Sequence, residues 1–229
     1  MANAILACTR KLNHALVTRA ALNGLVIKDE ELIQIDLMDN SDIADEIKHS
    51  ICPYVLTSSY AVEGLIALIK KYRIDINDIS VFSIRGKTSG MLTDAGVKIL
   101  GVANDSLGLV EVIRKSEYKK LLHLTSNIRL DAWKEQLREH GIGVENVEVY
   151  TKTVRPKPFG KIDGIIFFSP SQVDAFLQQN EFVDDTPVFC IGNTTAQKAV
   201  TIGYNNVHIA KKSSEEAVME LVFEHFKIK

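Results

Sequence analysis

The feature that most constrains this chain is a series of short apolar runs, too brief for buried helices and too continuous for half-exposed strands. They are Ile5–Thr9, Tyr54–Ser58, Val81–Ile84, Lys98–Val102, Leu121–Thr125, Gly164–Ser169, Val188–Ile191 and Val207–Ala210. Helix-length amphipathic segments separate them. Val62, Leu65, Ile66 and Ile69 share one helical face, and Val218, Leu221, Val222 and Phe226 share another. A strand that is apolar on both sides must be covered on both sides, which is the condition of a parallel sheet between helix layers. The pattern therefore predicts an α/β protein. Two segments differ. Glu31–Met38 and Val147–Thr153 alternate apolar with polar residues, which predicts half-exposed strands pairing as a connector over which the chain leaves one lobe and later returns.

Part of the sequence is written twice. SSYAV at Ser58–Val62 follows one apolar run and SPSQV at Ser169–Val173 follows another. Further on, IRGKT at Ile84–Thr88 parallels IGNTT at Ile191–Thr195, and in each copy a glycine, Gly96 or Gly203, stands eight residues past the last threonine. Thr9 precedes Gly24 by the same interval that separates Ser126 from Gly141. The order is circular, so the first strand–helix unit belongs with the C-terminal third. At 229 residues the chain has room for two such lobes.

Charge and residue spacing exclude several functions. A net charge of −2 supplies no basic field for nucleic acid, and an anionic ligand would need locally placed donors. Cys8, Cys52 and Cys190 stand far apart beside apolar runs, so they read as buried, unreactive thiols rather than a zinc or disulfide framework. His14, His49, His123, His140, His208 and His225 form no ligand pair by spacing. Dinucleotide, P-loop and nucleophile-elbow signatures are missing. No leader or membrane-length apolar run is visible, and a cytoplasmic location is expected. The adjacent acids Glu215-Glu216, in a loop or helix-start position, read as solvated charges or as a complement to a helix dipole rather than as acid–base catalysts.

In parallel α/β sheets ligands bind beyond the carboxyl ends of the strands. Hydroxyl-rich turns fall at those points: Thr9, Thr57-Ser58-Ser59, Thr88-Ser89, Thr125-Ser126-Asn127, Ser169-Pro170-Ser171 and Asn193-Thr194-Thr195. Helix capping explains any one of them as well as ligand binding does. Together they suggest a large ligand with several carboxylates, held by hydroxyls and helix N-termini. Arg10, Lys11, Arg85, Lys87 and Arg129 lie close enough in sequence to add charge.

These motifs bear a family resemblance. Thr9-Arg10, LTSSYAV (Leu56–Val62), NIRLDAWKEQLREHG (Asn127–Gly141) with VEVYTKT (Val147–Thr153), and above all GIIFFSPSQVDAF (Gly164–Phe176) followed by CIGNTTAQKAVTIG (Cys190–Gly203) resemble uroporphyrinogen-III synthases. The family often has proline at the position of Asn193 and glycine at that of Arg85. The resemblance implies two flavodoxin-like parallel-sheet lobes joined by a two-stranded β-ladder, with substrate in the cleft between them. Lobe 1 would be residues 1–34 with 154–229, the ladder 35–38 with 150–153, and lobe 2 residues 39–149.

It further implies a lyase that cyclises hydroxymethylbilane with inversion of its last ring, giving uroporphyrinogen III and water, with no cofactor and no metal. The expected protein is a monomer that needs neither nucleic acid nor membrane. Such a protein could still make transient contact with the preceding pathway enzyme. Tyr150 matches the family's candidate proton donor and is expected to face the cleft; a phenol is protonated at neutral pH and can donate. Thr9, Arg10, Ser58, Ser59, Thr88, Arg129, Ser169, Ser171, Thr194 and Thr195 are the expected carboxylate-binding residues. A two-lobed binding module for a small anionic ligand, without chemistry, is the alternative that the turns alone leave open.

Overall fold

The computed structural model describes residues 4–128, 131–181, 183 and 185–227. The chain starts with β1 (Ala4–Cys8), α1 (His14–Leu22), β2 (Leu25–Asp29) and β3 (Ile33–Leu37). It continues through α2 (Ser41–His49), β4 (Tyr54–Leu56), α3 (Ser59–Tyr72), β5 (Ser80–Ile84), α4 (Lys87–Asp94), β6 (Lys98–Ala103) and α5 (Ser106–Arg114). Next come β7 (Lys120–Ser126), α6 (Ala132–Glu139), β8 (Gly143–Val154), β9 (Gly164–Phe167) and α7 (Pro170–Leu177). Then follow β10 (Val188–Cys190), α8 (Asn193–Ile202), β11 (Val207–Ile209) and α9 (Glu215–His225). Every continuous apolar run is a strand. The strand β2 carries no such run: in LVIKD only Leu25 is buried, as befits the edge of a sheet.

Two compact units result, Met1–Gln34 with Thr153–Lys229 and Ile35–Lys152. In the first the sheet order is β11-β10-β9-β1-β2, all neighbours parallel. In the unit's own chain order this is the flavodoxin-like arrangement. In the second the order is β3-β8-β7-β4-β5-β6, parallel from β8 to β6. Read cyclically from β9, the first sheet matches the second strand for strand: β9 with β4, β10 with β5, β11 with β6, β1 with β7, β2 with β8. The sequence repeat is thus a structural repeat, and its matched glycines Gly96 and Gly203 both have positive φ, 78° and 119°, where the chain turns out of a helix.

Helices form where cap and apolar face coincide. The α3 helix starts at Ser58, whose side chain accepts from the Tyr60 N–H, and ends at Arg73 in the left-handed region. Between them Ala61, Val62, Gly64, Leu65 and Leu68 are buried, with Ile66 and Ile69 at the margin. Each fully buried aliphatic side chain contributes about 1.5–3 kcal/mol, more than the tenths that helix propensity supplies per residue. In the second unit Tyr54 and Leu56 pack under α2, α3 and α4, while Val55 between them packs under α5 and α6. That strand alternation within an all-apolar run is why both faces need cover. In the first unit Leu6, Cys8, Ile166 and Phe189 meet α1 and α9. Phe167, Phe176, Phe159 and Tyr204 form an aromatic chain with centroid spacings of 5.6 to 6.4 Å.

The two segments with alternating pattern form β3 and β8, which are neighbours in the second sheet, and β8 also pairs in parallel with β7. The Met38 N–H donates to the Val149 carbonyl and the Arg155 N–H to that of Leu32, so β3 and β8 run antiparallel. Where β8 passes from one partner to the other its register against β7 slips: Thr125 pairs with Glu148 but Ser126 with Tyr150. This bulge buries two consecutive residues, Val149 and Tyr150, at 0% and 2% exposure.

Candidate functional site

Because the paired strands run parallel within each unit, the turns that follow them share one edge of that unit's sheet. On the rim of the second unit, Ser58 follows β4. Its Oγ accepts from the Tyr150 O–H at 3.2 Å and from the Tyr60 N–H at 3.2 Å. Two accepted bonds use both lone pairs of a hydroxyl, so its own proton is the group left to donate. Ser58 and Ser59 are half-buried; Tyr150 sits behind them, its ring 5.9 Å from that of Tyr60 and 5.8 Å from the Lys152 ammonium. Thr57 Oγ1 lies 3.2 Å from Nε2 of His123, a buried histidine in β7 whose ring edge meets Trp133 at 5.2 Å. At the end of β7, Ser126 donates to the Ile128 carbonyl, and the Asn127 side chain brackets the backbone of Lys152. Arg129 lies outside the described residues.

The turn after β5 is built differently. The Arg85 N–H donates to the Ala103 carbonyl at 2.7 Å, fixing its backbone to β6 with the side chain exposed. Gly86 then turns at φ 98°, ψ −136°, a conformation that only glycine adopts without strain, and serves as the cap of α4 with no side-chain hydrogen bond. The glycine expected at position 85 has in effect moved one residue on. The counterpart in the first unit is Gly192, which caps α8, also without a side-chain bond. The leading N–H groups of α4 and α8 therefore have no side-chain cap, which is the condition for receiving an anion. Thr88 and Thr195 are buried, Ser89 donates to the Gly86 carbonyl, and Thr194 is exposed.

On the rim of the first unit, Ser169 caps α7 by accepting from the Gln172 N–H, and its Oγ lies 3.1 Å from that of Ser171. Thr9 is fully buried. Its Oγ1 lies 2.9 Å from both the Ile166 carbonyl and Gln172 Oε1, and Gln172 in turn accepts from the Phe168 N–H. The Thr9 hydroxyl therefore joins β1, β9 and α7 and is not offered to solvent. Arg10 forms an ion pair with Glu215 and lays its guanidinium 4.3 Å above the Phe168 ring, keeping 30% of its side chain exposed. Glu215 opens α9 and also accepts from the Asn13 N–H. Its neighbour Glu216 is held below the usual carboxylate range by its own backbone N–H, Ser214 and Arg10. Lys11 is bound to the carbonyl and carboxylate of Asp29, and that hydrogen bond raises its pKa. Lys87 is 3.7 Å from Glu63.

Sequence reading thus located the turns but missed the groups behind them. His123 looked like one more residue of an apolar run, and its central place in that run was the available signal. The partners Gln172 and Glu215 are more than 160 positions from Thr9 and Arg10, and nothing local announces them. Burial pushes the thiols of Cys8 and Cys190 up to about 12, as unreactive cysteines require. Among the described residues no group of three or more His, Cys, Asp and Glu could hold a metal ion, and no helix is long and apolar enough to cross a membrane.

Two α/β units of one cyclic strand order, each with hydroxyls and a helix N-terminus without a side-chain cap on its carboxyl rim, define a class of two-unit α/β proteins. The chain belongs to the uroporphyrinogen-III synthase family of cyclising lyases in porphyrin biosynthesis. The family model described as Uroporphyrinogen-III synthase HemD matches residues 30–220. A comparison of the sequence with curated proteins finds no match. Among solved structures, a mutant uroporphyrinogen III synthase from the extremely thermophilic bacterium Thermus thermophilus is similar at TM-score 0.78 and 15% identity, over 97% of this chain and 98% of that one. The uroporphyrinogen-III synthetase of Helicobacter pylori 26695 is similar at TM-score 0.65 and 22% identity, over 97% and 99%. The wild-type Thermus thermophilus enzyme gives 0.64 at 14%, over 98% of each chain. At these identities the likeness is one of fold.

Proposed function

We propose that this chain is a cytoplasmic monomer that closes hydroxymethylbilane into uroporphyrinogen III and releases water. The observation that carries the reading is the family match across residues 30–220, joined to carboxyl rims furnished with donors rather than a nucleophile. The substrate is a linear chain of pyrroles, each bearing an acetate and a propionate. Its terminal hydroxymethyl group leaves readily from an electron-rich ring, so the intrinsic barrier is low and unaided closure gives the unrearranged type I isomer. The protein's task is to promote departure of the hydroxyl, hold the resulting azafulvene, and direct attack from the substituted carbon of the last ring. The spiro intermediate then fragments and recloses with that ring inverted. Most of this is orientation in the sense of entropy already spent.

Carboxylates are taken by Ser59, Ser169, Ser171 and Thr194, by the open N–H groups beside Thr88 and Thr195, and by the exposed edge of Arg10. Thr9 contributes by fixing the turn that carries Arg10. The acid is the pair Tyr150 and Ser58: Ser58 presents its proton at the rim and Tyr150, behind it, replaces that proton along their hydrogen bond. The test is incubation with freshly made hydroxymethylbilane, oxidation, and separation of type I and type III porphyrins. A type III excess over the buffer control is the expected result. An isomer ratio equal to that of buffer would sink the proposal.

A further inference from the structure

We infer that Tyr60 is a substrate-binding residue that packs a pyrrole ring on the rim of the second unit, beside Ser58 and Tyr150; this rests on the substrate class proposed above. Donors account for the carboxylate arms of such a ligand but not for its rings. A pyrrole face is apolar and electron-rich and needs a flat apolar partner.

The internal repeat supplies a control within the same chain. Ser58-Ser59-Tyr60 and Ser169-Pro170-Ser171 occupy matched places after the matched strands β4 and β9, and a serine caps the helix in both. Where the first unit has Ser171, whose hydroxyl lies 3.1 Å from its cap, the second has a tyrosine. The turn therefore forms with a small polar residue and does not require a ring. Tyrosine has no helix propensity advantage over serine that would explain the choice.

The Tyr60 ring leans on that of Tyr150 at 5.9 Å and 45°, and 37% of the residue remains exposed. Its rim neighbours extend the pattern. Ile128, 41% exposed, follows β7, the strand next to β4, and adjacent strands lie about 4.8 Å apart, close to the width of one pyrrole. The turn after β5, on the other side, carries the exposed side chains of Arg85 and Lys87. Leu107, 56% exposed, follows β6 beyond it. Apolar and cationic positions thus succeed one another along one edge, as flat rings with charged arms require.

The test compares Tyr60→Phe and Tyr60→Ser, the latter restoring the residue of the other copy. The probes are uroporphyrin, a stable macrocycle with the same arms, and butanetetracarboxylate, which has charges without rings. Affinities are read by porphyrin fluorescence anisotropy, directly and by competition, and KM and kcat with hydroxymethylbilane. For Tyr60→Ser the Kd for uroporphyrin and the KM should rise about 3- to 10-fold, with the butanetetracarboxylate affinity unchanged. Tyr60→Phe should stay within about 2-fold of wild type on every measure, since its ring persists.

An unchanged uroporphyrin Kd in Tyr60→Ser overturns the inference. So does an equal loss in Tyr60→Phe, which would assign the effect to the hydroxyl, or an equal loss for both probes, which would assign it to a deformed turn. Tyr60→Leu, bulky but without a ring, replaces the serine variant if that one melts early, and the same loss is expected. A protein that binds uroporphyrin but forms no type III isomer refutes the proposed function alone, and the Kd comparison still decides the role of Tyr60. Absence of uroporphyrin binding in wild type refutes the inference alone, and the isomer ratio still decides the proposed function.

Discussion

Replacing Tyr150 by Phe removes one oxygen and leaves the ring in the core, against Tyr60 and under Lys152. The hydroxyl makes one neutral hydrogen bond, to Ser58 Oγ at 3.2 Å, and Ser58 keeps its second bond from the Tyr60 N–H. Losing that bond costs about 1 kcal/mol of stability, about 2–4 °C in Tm for a chain of this size. The effect on turnover should be larger. If Tyr150 resupplies the proton that Ser58 gives up, turnover should fall about 10- to 100-fold, the lower part of general-acid effects. That is about 1.4–2.7 kcal/mol of barrier. KM should hardly move, because no carboxylate contact is lost.

The assay is the initial rate of type III formation over a range of hydroxymethylbilane concentrations, with spontaneous type I formation subtracted. Ser58→Ala should show the same loss of turnover and a further stability cost of about 1 kcal/mol for the missing cap. The double variant should turn over no more slowly than the worse single one, since the two hydroxyls act as a unit. Wild-type turnover in Tyr150→Phe, or independent losses that multiply in the double variant, would refute the reasoning.

Other consequences are equally open to measurement. Thr194→Ala should raise KM by less than about 10-fold, because the backbone donors of α8 survive the change and one charged hydrogen bond is worth about 1.5–3 kcal/mol before solvent screening; complete inactivity would contradict distributed binding. Gly64→Ala adds a Cβ 2.6 Å from the Val149 carbonyl oxygen, so despite a helix propensity gain of about 1 kcal/mol it should destabilise by about 1–3 kcal/mol in urea unfolding. Burial, with His225 beside it, holds His208 below its ordinary 6.5. The unfolded chain then takes the proton first, so this stability is complete above pH 6.5 and is lost as pH falls through the folded value. Melting curves at about pH 7.5 and about pH 5.5 should diverge less in His208→Gln than in wild type. A disulfide reagent should modify Cys52 alone in the native protein and all three thiols in denaturant, since Cys8 and Cys190 are buried; fast labelling of either would contradict the fold.

Much of the architecture was legible because it is written locally. A strand covered on both faces needs a continuous apolar run, and all such runs became strands. Helix starts carried serine caps at Ser58 and Ser169, and the repeated landmarks disclosed the cyclic relation that the sheet orders bear out. Where the local signal was weak the reading failed. β2 mixes Leu25 and Ile27 with Lys28 and Asp29 at a sheet edge, and no run marks it. The cap at Gly86 lies one residue from where the family pattern puts a glycine, and only its φ of 98° shows that it does the work.

The sequence by itself determined the α/β class, the parallel sheets and the turns on their carboxyl rims, because periodicity and capping depend on residues within a turn or two of one another. Tertiary structure alone decided which hydroxyls face outward. A register slip between β7 and β8 buries Tyr150, whose hydroxyl donates to the half-buried Ser58. A contact across 163 positions turns the Thr9 hydroxyl inward to Gln172. Cross-strand register and long-range pairing are set by the packing of whole elements, and no short stretch of sequence encodes them.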